Sequence, residues 1–167
     1  VKGRRESKTL MVNRIRRAVD AWRDAGYPGA SATSERLLRY WFEETHRVPG
    51  LGVFRYYFCQ REAVETVIYL YEVRGFRDCF KLIQEFYEEP EGTQLELGVT
   101  TRGQRKIRRY VPEIAKEAEQ DLPRENLTRL AVKLATGSGK TVLMAMIMAW
   151  SYLHRRLESG SDLADNF

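Results

Sequence analysis

The chain has 167 residues, of which 43% are hydrophobic, 31% charged and 11% aromatic. That length suits one domain or slightly more, and the composition excludes a disordered tail, a collagen-like repeat and a disulfide-stapled miniprotein. A net charge of +5 permits a polyanionic partner without requiring one. Cys59 and Cys79 sit among bulky apolar neighbours without metal-ligand spacing, which predicts core thiols in a reduced, cytoplasmic setting. The longest uncharged stretch, 141–153, is shorter than the roughly 20 residues that span a bilayer, so no membrane partner is expected.

Met11, Ile15, Ala18, Val19 and Trp22 form the stripe of an amphipathic helix, with Arg14, Arg16, Arg17, Asp20 and Arg23 on its solvent side. Gly26-Tyr27-Pro28-Gly29 ends it. A second helix is predicted with Thr33 or Ser34 as N-cap, Glu35 in the first turn, and Leu37, Leu38, Trp41 and Phe42 on one side. Pro49-Gly50-Leu51-Gly52 breaks that pattern. Two helices bury too little apolar surface to stand alone, so the pair reads as a helical hairpin that packs on something else.

Aromatic residues crowd 54–58, and a helix follows from Gln60 with Val64, Val67, Ile68 and Tyr71 on one face. Another, at about 77–88, carries Phe80, Ile83 and Tyr87 in register. An acidic run (Glu85, Glu88, Glu89, Glu91, Glu96) precedes a basic one (Arg102, Arg105, Lys106, Arg108, Arg109). The basic run either meets a phosphate backbone, pairs with the acidic run or is simply solvated. Residues 90–93 and 100–103 read as exposed loops, and Pro112 suits the first turn of a short helix to about Gln120.

Leu130 to Leu134 is predicted as a short strand, followed by a glycine-containing turn and a helix from Gly139 or Lys140 to about Leu157. Val142, Leu143, Met144, Met146, Ile147 and Trp150 are its expected core residues. Thr136-Gly137-Ser138-Gly139-Lys140-Thr141 lies between strand and helix, the context of a phosphate-binding loop. Gly137 and Gly139 allow backbone conformations closed to residues with a Cβ, turning successive N–H groups toward a β-phosphate. Lys140 suits the β- and γ-phosphates as a point charge, and the Thr141 hydroxyl suits one position on Mg²⁺. The first glycine of the full pattern is replaced by Leu134.

Leu134 to Thr141, with the continuation Val142-Leu143-Met144-Ala145, resembles the first motif of superfamily 2 helicases of the DEAD/DEAH type. The resemblance is to the branch formed by the restriction subunits of type III restriction enzymes. Tyr57 to Glu65 is similar to the glutamine segment that opens the same helicase domain, and the stretch from Val12 through Trp41 is similar to the leader of such subunits. The resemblance implies an α/β fold: a mainly helical N-terminal region, 1–50, then the first β-P-loop-α unit of an incomplete RecA-like P-loop NTPase domain, 51–167. Gln60 and Lys140 lie 80 positions apart, so about 75–129 reads as a charged insertion.

By the same resemblance, ATP and Mg²⁺ are the cofactors. Thr136, Gly137, Ser138, Gly139, Lys140 and Thr141 hold the nucleotide, Lys140 and Thr141 act in catalysis, and Gln60 reads the adenine edge. An amide offers a donor and an acceptor side by side, as that edge requires. Tyr57, Phe58 or Arg55 would cover the base. Double-stranded DNA is the expected partner of the parent protein, and a modification subunit is a further one the resemblance allows.

Hydrolysis also needs an acidic Mg²⁺ ligand, a group that orients water and usually an arginine at the γ-phosphate. Only the 26 residues 142–167 follow Thr141, and neither Asp162 nor Asp165 comes after an apolar strand. The chain is therefore expected to be an N-terminal fragment of an ATP-dependent helicase or translocase subunit. A non-catalytic nucleotide-binding module and a fragment of an RNA helicase are the alternatives. His46 and His154 lack partners at ligand spacing in the sequence, so neither is expected to bind a metal.

Overall fold

The computed structural model describes residues 4–7, 10–50, 52–77, 79–86, 97–99, 105–107 and 130–167. They form helices and two small antiparallel sheets, arranged in two units: Val1–Ala18 with Phe76–Arg129, and Val19–Gly75 with Leu130–Phe167. In chain order the elements are α1 (Leu10–Asp24), α2 (Ala32–Phe42), β1 (His46–Val48), β2 (Gly52–Phe54), α3 (Phe58–Ile68), a π-helical turn (Tyr69–Val73), α4 (Cys79–Phe86), β3 (Leu97–Val99), β4 (Arg105–Ile107) and α5 (Lys140–Leu157).

The unit that carries the loop is built around Trp22, Leu38, Trp41, Val64, Ile68, Leu143, Met146 and Trp150, all buried. α2 and α3 pack on α5 and on each other. The second helix takes its main partners from 58–68 and 140–157, far along the chain, which supplies the further packing surface that the first two helices were expected to need. The last turns of α1 enter this core through Trp22, whose ring meets Tyr27 edge-on at 4.9 Å and Tyr69 at 5.3 Å.

The start of α2 also differs from expectation. Ser31 is the N-cap, its Oγ accepting from Ser34 N–H at 3.2 Å. Ser34 is fully buried inside the first turn, donating to the Glu72 carboxylate and accepting from Trp150 Nε1–H at 2.8 Å. Glu72 also receives the Ser31 N–H, and Glu158 receives the Thr33 N–H at 2.9 Å. Two carboxylates from distant parts of the chain therefore satisfy the orphan donors and the dipole of the α2 N-terminus.

The β1–β2 hairpin, with His46 opposite Phe54 and Val48 opposite Gly52, occupies the stretch that Pro49 and Gly50 break. Residues 130–135 form no strand, although five residues there were expected to. A strand is held by its neighbours' hydrogen bonds, and both described sheets are complete as pairs without it. Leu130 and Val132 are accordingly exposed, at 44% and 43%. On α5, Leu143, Met146 and Trp150 are buried and Ile147 half-buried, whereas Val142 and Met144, expected in the core, are exposed.

In the other unit, α4 covers 79–86 of the expected 77–88, and the Phe76 ring lies 5.9 Å from that of Phe86. β3 and β4 pair antiparallel, Gly98 opposite Lys106. The expected loops at 90–93 and 100–103, the helix at 112–120 and most of both charge runs lie outside the described residues. No described helix is long and apolar enough to cross a membrane. Cys59 is half-buried and free, and the Cys79 side chain lies outside the described residues.

Candidate phosphate-binding loop and its neighbours

Residues 136–139 turn directly into α5. Gly137 has φ +78° and Gly139, the N-cap, has φ +75° and ψ +44°, both in the left-handed region that glycine enters without steric cost. Ser138 closes the turn, its Oγ–H donating to the Ala135 carbonyl at 2.7 Å. Lys140 is the first residue of an 18-residue helix whose opening N–H groups have no intrahelical acceptor. The loop residues Thr136, Gly137, Lys140 and Thr141 are exposed, while Ser138 and Gly139 are half-buried. Among the described residues Lys140 makes no ion pair.

Its position on the helix is informative. The basic residues His154, Arg155 and Arg156 occupy the last turn of α5, where the helix dipole favours cations. Lys140 sits at the opposite, electropositive end, and no acidic residue stands in that first turn to offset it. A cation there raises the local positive potential, which disfavours folding slightly and favours an anion.

Gln60, only 3% exposed, reaches this loop from α3. Its Nε2 donates to the Gly139 carbonyl at 3.2 Å, and its Oε1 accepts the Tyr57 N–H at 2.9 Å. The two segments singled out in the sequence thus meet through one amide. A Cβ on Gly139 would collide with that amide, so the residue is glycine for two reasons, backbone angle and close approach. The amide's acceptor and one N–H are bound to the fold in this arrangement.

The three candidates for covering a base separate. Tyr57 is 62% exposed at the N-cap of α3. Arg55 and Phe58 line a cleft of about 370 Å³ with Trp41, Phe42, Phe54 and Tyr56. Phe58 and Arg61, three apart on α3, face that cleft, whereas Gln60 points toward the loop from another side of the helix.

What holds α3 in place was not visible in the sequence. Glu65, fully buried, accepts from Arg23 Nε at 2.9 Å, Arg61 Nε at 2.7 Å and the Tyr27 hydroxyl at 2.8 Å, and Arg61 Nη2 donates to that hydroxyl at 2.8 Å. Burial and the Glu65 charge push the Tyr27 hydroxyl well above its ordinary pKa. For Arg23 and Arg61 burial pulls the other way, but the bonds and charge of Glu65 outweigh it and hold both guanidiniums above theirs. Tyr27 itself has φ +64°, unusual for a bulky residue, and its ring and hydroxyl contacts keep it there. The one local signal was Arg61 four residues before Glu65 on a helix.

The histidines find tertiary partners: His46 Nε2 lies 2.7 Å from the Tyr40 carbonyl, and His154 has Ser161 Oγ at 2.7 Å and the Glu72 carboxylate at 3.6 Å. No group of three His, Cys, Asp or Glu residues among those described could hold a metal. Asp162 accepts from the Tyr71 hydroxyl at 3.0 Å and Asp165 pairs with Arg156 at 3.3 Å. The chain matches no protein-family model, no curated protein and no solved structure.

Proposed function

We propose that residues 134–141 are the phosphate-binding loop of an ATP-binding region, the N-terminal part of an ATP-dependent DNA helicase or translocase subunit of a restriction system. The observation that carries this reading is the seat of Gln60 on the Gly139 carbonyl. A resemblance to a helicase glutamine segment and a resemblance to a helicase first motif are independent in sequence, and their meeting is what one nucleotide site requires. Two left-handed glycines ahead of a long helix, and a lysine placed against the helix dipole, support the phosphate part of it.

The residues present fit ATP and Mg²⁺. Exposed Lys140 suits the β- and γ-phosphates, and the exposed Thr141 hydroxyl suits the cation. Bound Mg²⁺ would neutralise phosphate charge. Turnover also needs an acidic cation ligand and a water-orienting group; Asp162 and Asp165 are engaged with Tyr71 and Arg156 instead. Binding without turnover is therefore the activity expected of residues 1–167.

The fold reading extends this. Met144, Met148 and Tyr152 repeat every fourth residue along the side of α5 away from its buried one, and all three are exposed. Leu130 and Val132 are exposed as well, and such apolar side chains suit the cover that the sheet of a complete RecA-like domain would supply.

Calorimetric titration with Mg·ATP is the test. Saturable binding is expected, weakened roughly tenfold to a hundredfold by Lys140→Ala, the scale of one charged hydrogen bond. The same variant should unfold no earlier than the parent, since it removes a cation from the wrong end of a helix. Unchanged affinity in Lys140→Ala would sink the assignment.

A further inference from the structure

The cleft of about 370 Å³ beside α3 is formed by the end of α2, the β1–β2 hairpin and the residues that lead into α3. Neither Gln60 nor any residue of 134–141 lines it. Its walls are rings arranged around Tyr56. Phe54, Phe42 and His46 stand edge-on to that ring, at centroid distances of 4.9, 5.9 and 5.8 Å. Edge-to-face contacts orient one ring against the next, so the apolar walls are in place before a ligand arrives.

Four charged side chains line the same cleft, Glu43 and Glu44 against Arg55 and Arg61. Their charges cancel, so the cleft favours neither a polyphosphate nor a polycation. Two of the four are engaged within the fold: Glu43 pairs with Arg39 at 3.1 Å and Arg61 with Glu65 at 2.7 Å. Glu44 and Arg55 are exposed, and among the described residues neither side chain has a hydrogen bond or an ion pair. An acid and a base that line one cleft without closing on each other leave room for a ligand with one charge of each sign. Two neutral groups add to them. The half-buried Tyr56 hydroxyl has no hydrogen-bond partner among the described residues, which costs stability unless solvent or a ligand completes it. Burial, and then the neighbouring Tyr40, push that hydroxyl above its ordinary pKa, so it stays a donor. His46 Nε2 faces the Tyr40 carbonyl at 2.7 Å; a carbonyl only accepts, so Nε2 carries the hydrogen and the neutral ring keeps Nδ1 as an acceptor.

Size, walls and charge together select the ligand. Pockets for small molecules run from roughly 300 to 1,000 Å³, and this cleft lies at the low end of that range. Ring walls favour a flat apolar body, and the guanidinium fork of Arg55 matches a carboxylate two oxygens at a time. We propose that the cleft binds a free aromatic α-amino acid, its ring among Phe42, Phe54 and Tyr56, its carboxylate on Arg55 and its ammonium on Glu44. The same residue inside a peptide lacks both charges and is therefore excluded. The site shares no residue with the phosphate-binding loop, so it stands or falls separately from the nucleotide reading.

The test is an NMR titration of the 167-residue chain with L-phenylalanine, read at the backbone amides of residues 44–46 and 54–56. Saturation is expected with a Kd of about 1 mM, the scale for a ligand of so few atoms. Phenethylamine, which lacks the carboxylate, and 3-phenylpropionate, which lacks the ammonium, should each bind about tenfold more weakly, the effect of one charged hydrogen bond. Arg55→Gln should weaken phenylalanine about tenfold and leave phenethylamine unchanged. Glu44→Gln should weaken phenylalanine by the same factor and leave 3-phenylpropionate unchanged. Both side chains are exposed and unbonded among the described residues, so both variants are expected to fold, which the same spectra verify. Lys140→Ala is expected to bind phenylalanine like the parent. An Arg55→Gln variant that loses phenylalanine and phenethylamine equally would overturn the proposal, because Arg55 would then not be reading the carboxylate. So would equal affinities for phenylalanine and N-acetylphenylalanine amide, or no saturation by about 10 mM phenylalanine. Displacement of phenylalanine by Mg·ATP would overturn it by making the cleft part of the nucleotide site.

Discussion

Two charged residues of the same unit, Glu65 and Lys140, are treated in opposite ways. Glu65 is sealed from solvent and matched by Arg23, Arg61 and Tyr27. Lys140 is exposed, has no ion pair among the described residues, and sits at the helix end that repels it. A buried charge must be neutralised inside the fold, so Glu65 holds the molecule together. A cation left in an unfavourable local field gains nothing for the fold, and it is left to the anion that we propose it binds. Gln60 joins the two: it is borne on the helix that Glu65 fixes, and it touches the loop that Lys140 ends.

The comparison breaks most visibly at Glu65. Glu65→Ala leaves two guanidiniums facing each other across a buried gap, and removing one partner of such a cluster costs about 3 to 5 kcal/mol. Urea unfolding should show a midpoint shifted down accordingly, or a chain that no longer folds. A loss under 1 kcal/mol would mean that Arg23 and Arg61 find water instead, and Glu65 would lose its role as anchor. Lys140→Ala, by contrast, should leave the midpoint in place.

The loop glycines sharpen it further. At Gly137 an added Cβ meets nothing within 4 Å, so Gly137→Ala carries only the left-handed backbone penalty of roughly 1 to 2 kcal/mol. Gly139→Ala carries that penalty and also drives the Gln60 amide off its carbonyl. It should therefore be the more destabilising of the two, and the added mutation Gln60→Ala should narrow the gap between them. Equal unfolding midpoints for the two alanine variants would show that the contact between Gln60 and the loop is not formed in solution.

How much of this was legible depended on how far apart the partners lie. The turn at 136–139 and the helix behind it were readable because glycine, lysine and apolar spacing are local signals. α2 was readable from its apolar spacing, yet its cap moved to Ser31, because Ser34 was claimed by Glu72 and Trp150, 38 and 116 positions away. The Glu65 cluster joins residues 42 and 38 apart, and no periodicity announces it. Strands failed in both directions: three-residue hairpins are too short to show alternation, and the apolar run at 130–134 has the composition of a strand without a described neighbour to pair with. Gln60 was found through resemblance, but its bond to Gly139 needed coordinates.

The smallest effect concerns Glu158, at the end of α5. Hydrogen bonds from Thr33 hold its carboxyl below the ordinary 4.5, since they favour the ionised form. A group whose pKa is depressed by folding adds stability above its unfolded value and loses it as pH falls through the folded one. The contribution is thus complete above about pH 4.5 and fades below it. Glu158→Gln keeps an acceptor for the Thr33 N–H and removes the titration, so its melting temperature should fall less steeply with acid than the parent's, while the two differ least near neutrality. Parallel acid profiles would place the bond between Glu158 and α2 outside the energetics of the fold, and leave Ser31 and Glu72 to cap that helix alone.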